Sequence, residues 1–201
     1  LQKVNQSNSD IKMSHPRNLP LASNYITTNT PEGESVFAAS EDAAYPKFKL
    51  IDRTEAVFAD MHLSPTVPAS LSPTTATYDL RATEEFITTN TKTASIPASG
   101  VGFRRTDMPP GSQTPMHRTL SVDYGTVVAG TVELTLGSGE KRMLRAGDTV
   151  VQRATMHQWR NPSETEWLRM VWVMLPIEPL EIDGNVLKEE WIIPEQPPTE
   201  A

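Results

Sequence analysis

Between residues 111 and 161 the chain reads GSQTPMHRTLSVDYGTVVAGTVELTLGSGEKRMLRAGDTVVQRATMHQWRN. Three short apolar runs, residues 126–129, 132–136 and 149–152, are divided by turns at Gly130, at Gly137-Ser138-Gly139 and at Ala146-Gly147-Asp148. Runs this short, rich in Val and Thr and punctuated by Gly, read as strands of an antiparallel sheet and not as helices. Many short strands with turn signals between them make an all-β jelly roll or barrel. One histidine stands at each end of the block, His117 and His157. Successive side chains of a strand alternate between its two faces. A regular strand through this region therefore points His117, Thr119, Ser121 and Asp123 the same way.

The flanking segments read less sharply. Residues 25–28 (YITT) and 35–38 (SVFA) flank a Pro/Gly turn, which suggests a hairpin. Residues 48–59 offer one or two more strands, and residues 61–77, rich in Pro, Ser and Thr, read as a loop. Residues 82–88 are either a short helix or a strand. The most continuously apolar stretch, residues 167–175 (WLRMVWVML), is expected to be a barrel strand buried on both faces or covered by a partner subunit. Late in a polar tail, Trp191-Ile192-Ile193 is an apolar triplet that should pack back on the barrel or on a second subunit. The expected organisation is a flexible arm over residues 1–20, strands and a loop packed on the barrel over 21–99, the barrel core over 100–176 and a tail over 177–201. No internal repeat is visible, so the barrel is a single unit.

Composition sets the outer bounds. A chain of 201 residues can bury one sizeable core. A net charge of −7 argues against a nucleic-acid partner or an anionic membrane surface. No apolar run approaches the length of a membrane span. With no cysteine there is no disulfide framework and no thiol chemistry, which fits a cytoplasmic location. The expected partners are a small-molecule substrate and a second copy of the chain. A homodimer would cover sheet edges through a strand within residues 25–59 or through residues 167–175.

The block resembles the two signature motifs of the cupin family. The first is G-x5-H-x-H-x3-E-x6-G, and here Gly111, His117 and Gly130 match, with Thr119 in the place of the second His and Asp123 in the place of Glu. The second ends P-x-G-x2-H-x3-N, and here Gln152 stands for Pro, Ala154 for Gly, and His157 and Asn161 match. A closer likeness is to single-domain cupins of fungi and bacteria, several of them beside polyketide biosynthetic genes. The resemblance implies a cupin jelly-roll β-barrel with an N-terminal hairpin extension, in which His117, Asp123 and His157 face one interior cavity.

Two chemistries then compete for these residues. Two imidazoles and a carboxylate can hold one divalent ion (Fe, Mn or Zn), which would make His117, Asp123 and His157 metal ligands of a dioxygenase. Thr119 removes one nitrogen ligand, and Asp123 is a methylene shorter than Glu. With no metal, the same three residues are catalytic acid–base groups, since imidazole titrates near neutrality. That chemistry suits dehydration, isomerisation or decarboxylation of a polyketide-like molecule. A third reading is a barrel that binds a small molecule without turnover. Around the catalytic groups, Thr119, Ser121, Gln152, Arg153 and Trp159 are the expected substrate-binding residues. Arg153 would greet an anionic substrate at the cavity mouth or pair with a surface carboxylate, and Trp159 would wall the cavity with a flat face. Tyr124 and Arg118 alternate outward. His15 and His62 lie in polar or Pro-rich loops with no ligand spacing.

Overall fold

The computed structural model describes residues 18–20, 22–38, 48–50, 56–71, 83, 85–86 and 99–192. Its strands in chain order are β1 (Thr27–Asn29), β2 (Ser35–Phe37), β3 (Phe48–Leu50), β4 (Val57–Ser64), β5 (Val101–Met108), β6 (Met116–Arg118), β7 (Ser121–Ala129), β8 (Thr131–Leu136), β9 (Lys141–Arg145), β10 (Thr149–Arg153), β11 (His157–Arg160), β12 (Leu168–Pro176), β13 (Glu181–Ile182), β14 (Asn185–Val186) and β15 (Glu190–Ile192). Two antiparallel sheets make the jelly roll. One has six strands in the order β10-β7-β12-β5-β4-β3, and the other has five in the order β15-β6-β11-β8-β9. The expected all-β fold is the observed one, and β1 and β2 form the expected hairpin, with Thr27 opposite Phe37.

The core lies between the sheets because each long strand alternates. β7 (SVDYGTVVA) buries Ser121, Asp123, Gly125 and Val127 and turns Tyr124 and Val128 outward. β12 lies between β7 and β5 and faces inward with Met170, Trp172 and Met174. Trp172 is the cross-strand partner of Gly125, and a Cβ on Gly125 would collide with the indole ring. The absent side chain at 125 is what lets a residue as large as Trp lie across β7.

Asn18, Pro20 and Ala22 reach the outer face of the larger sheet at one end. Arg169 on β12 holds Asp107 on β5 in a two-pronged pair, Nε to Oδ1 at 2.7 Å and Nη2 to Oδ2 at 2.9 Å. Both side chains are buried, and Arg169 Nη1 also donates to the Pro20 carbonyl at 3.0 Å. Arg105 reaches the Ala22 carbonyl at 3.2 Å, and Asn18 Nδ2 donates to Glu166 at 3.1 Å. A buried ion pair is tolerated when further hydrogen bonds satisfy its remaining protons; here part of that role falls to the backbone of the incoming chain.

Several local expectations change. A single strand through residues 117–123 does not form. The chain leaves the five-stranded sheet after β6 and enters the six-stranded sheet at β7, while inward alternation survives the crossing. The loop expected from Met61 starts only after Ser64, because β4 continues past a register shift at Asp60/His62 and pairs Leu63 with Gly102. His62 is therefore a strand residue opposite Phe103, not a loop residue. Thr83, Glu85 and Phe86 are helical, and the other residues of that stretch lie outside the described residues. Residues 1–17, which include His15, lie outside the described residues, as do 72–77 and Ile193. β9 (KRMLR) was not legible because only Leu144 of its five residues is buried. It is an outer strand of its sheet, where exposed Lys141 and Arg142 discourage further strand pairing.

Candidate active site

The two sheets each contribute one polar pair to the interior. On the five-stranded sheet, His157 of β11 is the direct cross-strand partner of His117 of β6. Their ring centroids are 4.2 Å apart with the planes at 55°. On the six-stranded sheet, Gln152 of β10 is the direct partner of Asp123 of β7, and Gln152 Nε2 donates to Asp123 Oδ2 at 2.8 Å. All four side chains line one cavity of about 80 Å3, room for roughly half a dozen waters or a small organic group. Its remaining walls are mostly apolar, with Phe58, Trp159, Trp172 and three methionines, Met108, Met170 and Met174. Trp159 meets Trp172 edge-on at 5.3 Å.

The histidines are held in the same way. His117 Nδ1 lies 2.8 Å from the Pro115 carbonyl and His157 Nδ1 lies 2.8 Å from the Thr155 carbonyl. A carbonyl only accepts, so each neutral ring carries its proton on Nδ1 and keeps a lone pair on Nε2. Burial lowers both imidazoles. For His157 burial, helped by the neighbouring His117, brings the value down to about 3. For His117 burial is again the chief cause, opposed by the hydrogen bond to Pro115. Asp123 moves the other way. Burial raises its carboxyl, against smaller opposing effects from Ser121, Gln152, the Arg104 guanidinium and Thr119. Burial thus shifts both imidazoles towards the neutral form and the Asp123 carboxyl towards the acid form.

The expected binding residues divide. Thr119 and Trp159 line the cavity with the catalytic candidates. Ser121 is fully buried and donates to Thr119 Oγ1 at 3.0 Å, beneath the wall and not on it. Arg153 is exposed and does not line the cavity: on β10 it alternates to the outer face, opposite Val122. The metal set expected from His117, Asp123 and His157 is not assembled. Among the described residues no three His, Cys, Asp or Glu side chains are gathered to hold an ion. The short Asp123 side chain stays on the sheet opposite the histidines and is engaged by Gln152. These residues do not fit a two-histidine, one-carboxylate centre.

Three further residues shape the site. Arg104 had no signal in the sequence pattern, Trp191 was expected to pack back without a named partner, and Asn161 was a motif match without an assigned role. Arg104 on β5 lines the cavity, pairs with Asp60 of β4 at 2.6 Å and lies 4.9 Å over the Phe58 ring. Its partner is 44 positions away, so only the pairing of β4 with β5 brings them together. Trp191 on β15 is the other cross-strand partner of His117 and stacks on its ring at 4.2 Å and 12°. That strand is further tied by Arg118 to Glu190 at 3.5 Å. Asn161, the last motif residue, serves as a lock. Its Nδ2 donates to the carbonyls of Met108, Pro109 and Glu166 at 3.1, 3.1 and 2.8 Å, which fixes the chain ends around the His157 strand.

Comparison with known proteins agrees with this geometry. A cupin-domain family model matches residues 104–174. "Phomopsin biosynthesis cluster protein C'" of Diaporthe leptostromiformis is 40% identical over 163 residues, covering 81% of this chain and 82% of that protein. "Cupin-domain-containing oxidoreductase srdB" of Neurospora crassa is 38% identical, covering 81% of this chain and 78% of that protein. "Oryzines biosynthesis cluster protein J" of Aspergillus oryzae is 32% identical, covering 86% of this chain and 93% of that protein. With the paired histidines of its motifs facing one interior cavity, the chain belongs to the cupin family and has relatives among the cupin-domain proteins of fungal biosynthesis clusters.

Proposed function

We propose that the protein is an enzyme of small-molecule secondary metabolism that moves protons on an organic substrate held in the cavity, in a reaction of the isomerase or lyase type. The observation that carries this reading is the pairing of two neutral imidazoles on one sheet with a buried carboxyl group of raised pKa on the other. Lowering the imidazoles and raising the carboxyl increases the share of neutral base and protonated acid present together at one pH. His117 Nε2 takes a proton from a carbon next to a carbonyl, and the electron pair moves into a carbon–carbon double bond. Asp123 gives its proton to the carbonyl oxygen in an isomerisation, or to a departing hydroxyl in a dehydration. In an isomerisation His117 returns its proton to the new carbon while Asp123 recovers its proton from the enol oxygen. In a dehydration the proton passes from His117 through water to Asp123. Either restores the starting state. His157, with a value of about 3, is too weak a base for this step and instead offers Nε2 as a hydrogen-bond acceptor. Arg104, already balanced by Asp60, stabilises negative charge as it develops on oxygen.

Purified protein supplied with extract from a producing fungus is expected to convert one component. The His117→Ala and His157→Ala variants should stay folded and lose about a hundredfold or more in turnover. Full activity in both variants would remove the site assignment. The Neurospora relative, named as an oxidoreductase, favours a redox alternative. Loss of activity with a chelator and its recovery with Fe(II) would overturn the proton-transfer reading in favour of that alternative.

A further inference from the structure

The hydrogen bond between Gln152 and Asp123 uses only half of each side chain. Gln152 Nε2 and Asp123 Oδ2 are satisfied by each other, but Gln152 Oε1 and Asp123 Oδ1 are buried with no hydrogen-bond partner. Both residues are more than nine-tenths buried, Gln152 at 7% and Asp123 at 5% exposure, and both line the cavity. A buried polar atom without a partner costs the fold about 1–3 kcal/mol. Two such atoms on directly paired residues of neighbouring strands, facing the same space, form a prepared polar patch across the cavity from the two histidines.

We infer that Gln152 and Asp123 form a hydroxyl-reading site, and that the cavity takes a compound with an apolar, ring-sized body and one hydroxyl directed at this pair. This deepens the proposed function and rests on its placing the substrate in this cavity. The amide oxygen of Gln152 accepts and never donates, so the ligand must supply an O–H or N–H. Asp123 Oδ1 either accepts or donates. With the carboxyl proton on Oδ1 a hydroxyl matches both atoms, giving its one hydrogen to Gln152 and accepting from Asp123; against an ionised Asp123 its single hydrogen serves only one of the two. A carbonyl has nothing to give Gln152, and a carboxylate would set its charge against an acceptor-only atom. The body of the ligand is set by the other walls, where Phe58, Trp159 and Trp172 present ring surfaces and the flexible methionines adapt to shape.

The test compares 4-fluorophenol with 4-fluorotoluene, which differ by a hydroxyl for a methyl, by fluorine NMR titration of the whole protein. In a cavity with no polar reader the phenol would bind more weakly, since its hydroxyl loses water and gains nothing. The expected result is a preference of about tenfold or more for the phenol, of the size a single satisfied hydrogen bond supplies. In Gln152→Leu, or in Gln152→Met should that variant fold poorly, the preference should disappear while 4-fluorotoluene binds as before. Equal affinities in the wild-type protein, or a preference that survives both variants, would overturn the assignment. The titration needs no turnover. A protein that reads the hydroxyl but converts nothing would defeat the enzyme reading alone. A protein whose turnover depends on His117 and His157 but which prefers the methyl compound would defeat the hydroxyl reader alone.

Discussion

His157 sets how the protein responds to acid. Its folded value is about 3, well below the ordinary imidazole value of 6.5, so below pH 6.5 the unfolded chain binds a proton that the folded chain refuses. Stability from this group is therefore complete above about pH 6.5 and is lost as pH falls towards 3, by an amount of the order of a few kcal/mol. His117, shifted in the same direction, adds to the loss. Asp123 has the opposite sign, since a raised carboxyl favours folding in its acid form. Melting temperature measured from pH 7 to pH 3.5 should fall steeply, and His157→Gln should flatten that fall. An unchanged slope in the variant would show that other groups govern acid unfolding. A second residue-scale effect sits three positions earlier. Ala154 stands where the family motif has Gly, yet its backbone keeps the left-handed conformation, with φ at 49°. Ala tolerates this at modest cost, but a β-branched side chain there would be strained and buried at once. Ala154→Val is expected to cost about 1–3 kcal/mol in a urea titration, whereas Ala154→Gly should fold normally.

At the scale of elements, the cavity depends on how β7 and β12 share space. Gly125 leaves room for the Trp172 ring, and Trp172 in turn supports Trp159 across the interior. Gly125→Ala must push the indole towards the cavity. Overpacking of this kind costs about 1–3 kcal/mol, and the variant should bind the ring-sized fluorinated probes more weakly as well. Normal denaturant midpoints and unchanged probe binding would mean that Trp172 has another place to go. β15 shows a different dependence. A strand of three residues places one indole flat on His117, so the end of the described chain forms part of the setting of a residue more than seventy positions earlier.

For the whole molecule, the two faces of the larger sheet differ. The inner face makes the cavity, and among the described residues Pro20 and Ala22 reach the outer face at Arg169 and Arg105. Tyr124, Val128 and Val151 remain about half exposed on that outer face, with Val151 directly opposite Tyr124. Within the described chain β12 cannot offer a pairing edge, because β7 and β5 flank it. Association is therefore expected through the outer apolar face. Light scattering at micromolar concentration should give twice the monomer mass of 22.2 kDa, and Tyr124→Lys should return it to the monomer value. A wild-type protein that scatters as a monomer would remove this expectation.

The sequence by itself determined the strand pattern of the central block and the spacing that brings His117 and His157 together. The strand pattern is a local property, written in Gly turns, in Val- and Thr-rich runs and in the two-residue period of a strand, whereas the meeting of the two histidines was implied by the likeness of their spacing to the family motifs. It also marked Asp123, Gln152 and Trp159 as neighbours of the site, through motif position and alternation. It did not reveal that the strand breaks between His117 and Ser121, that polar β9 is a strand, or that Arg153 faces outward. Only the tertiary structure decided those points, and only it brought Arg104 to the cavity, Asp60 to Arg104 and Trp191 to His117. Those residues arrive through pairings of β4 with β5 and of β15 with β6. Which distant strands pair, and in what register, follows from the burial of whole faces together and not from any short window of residues.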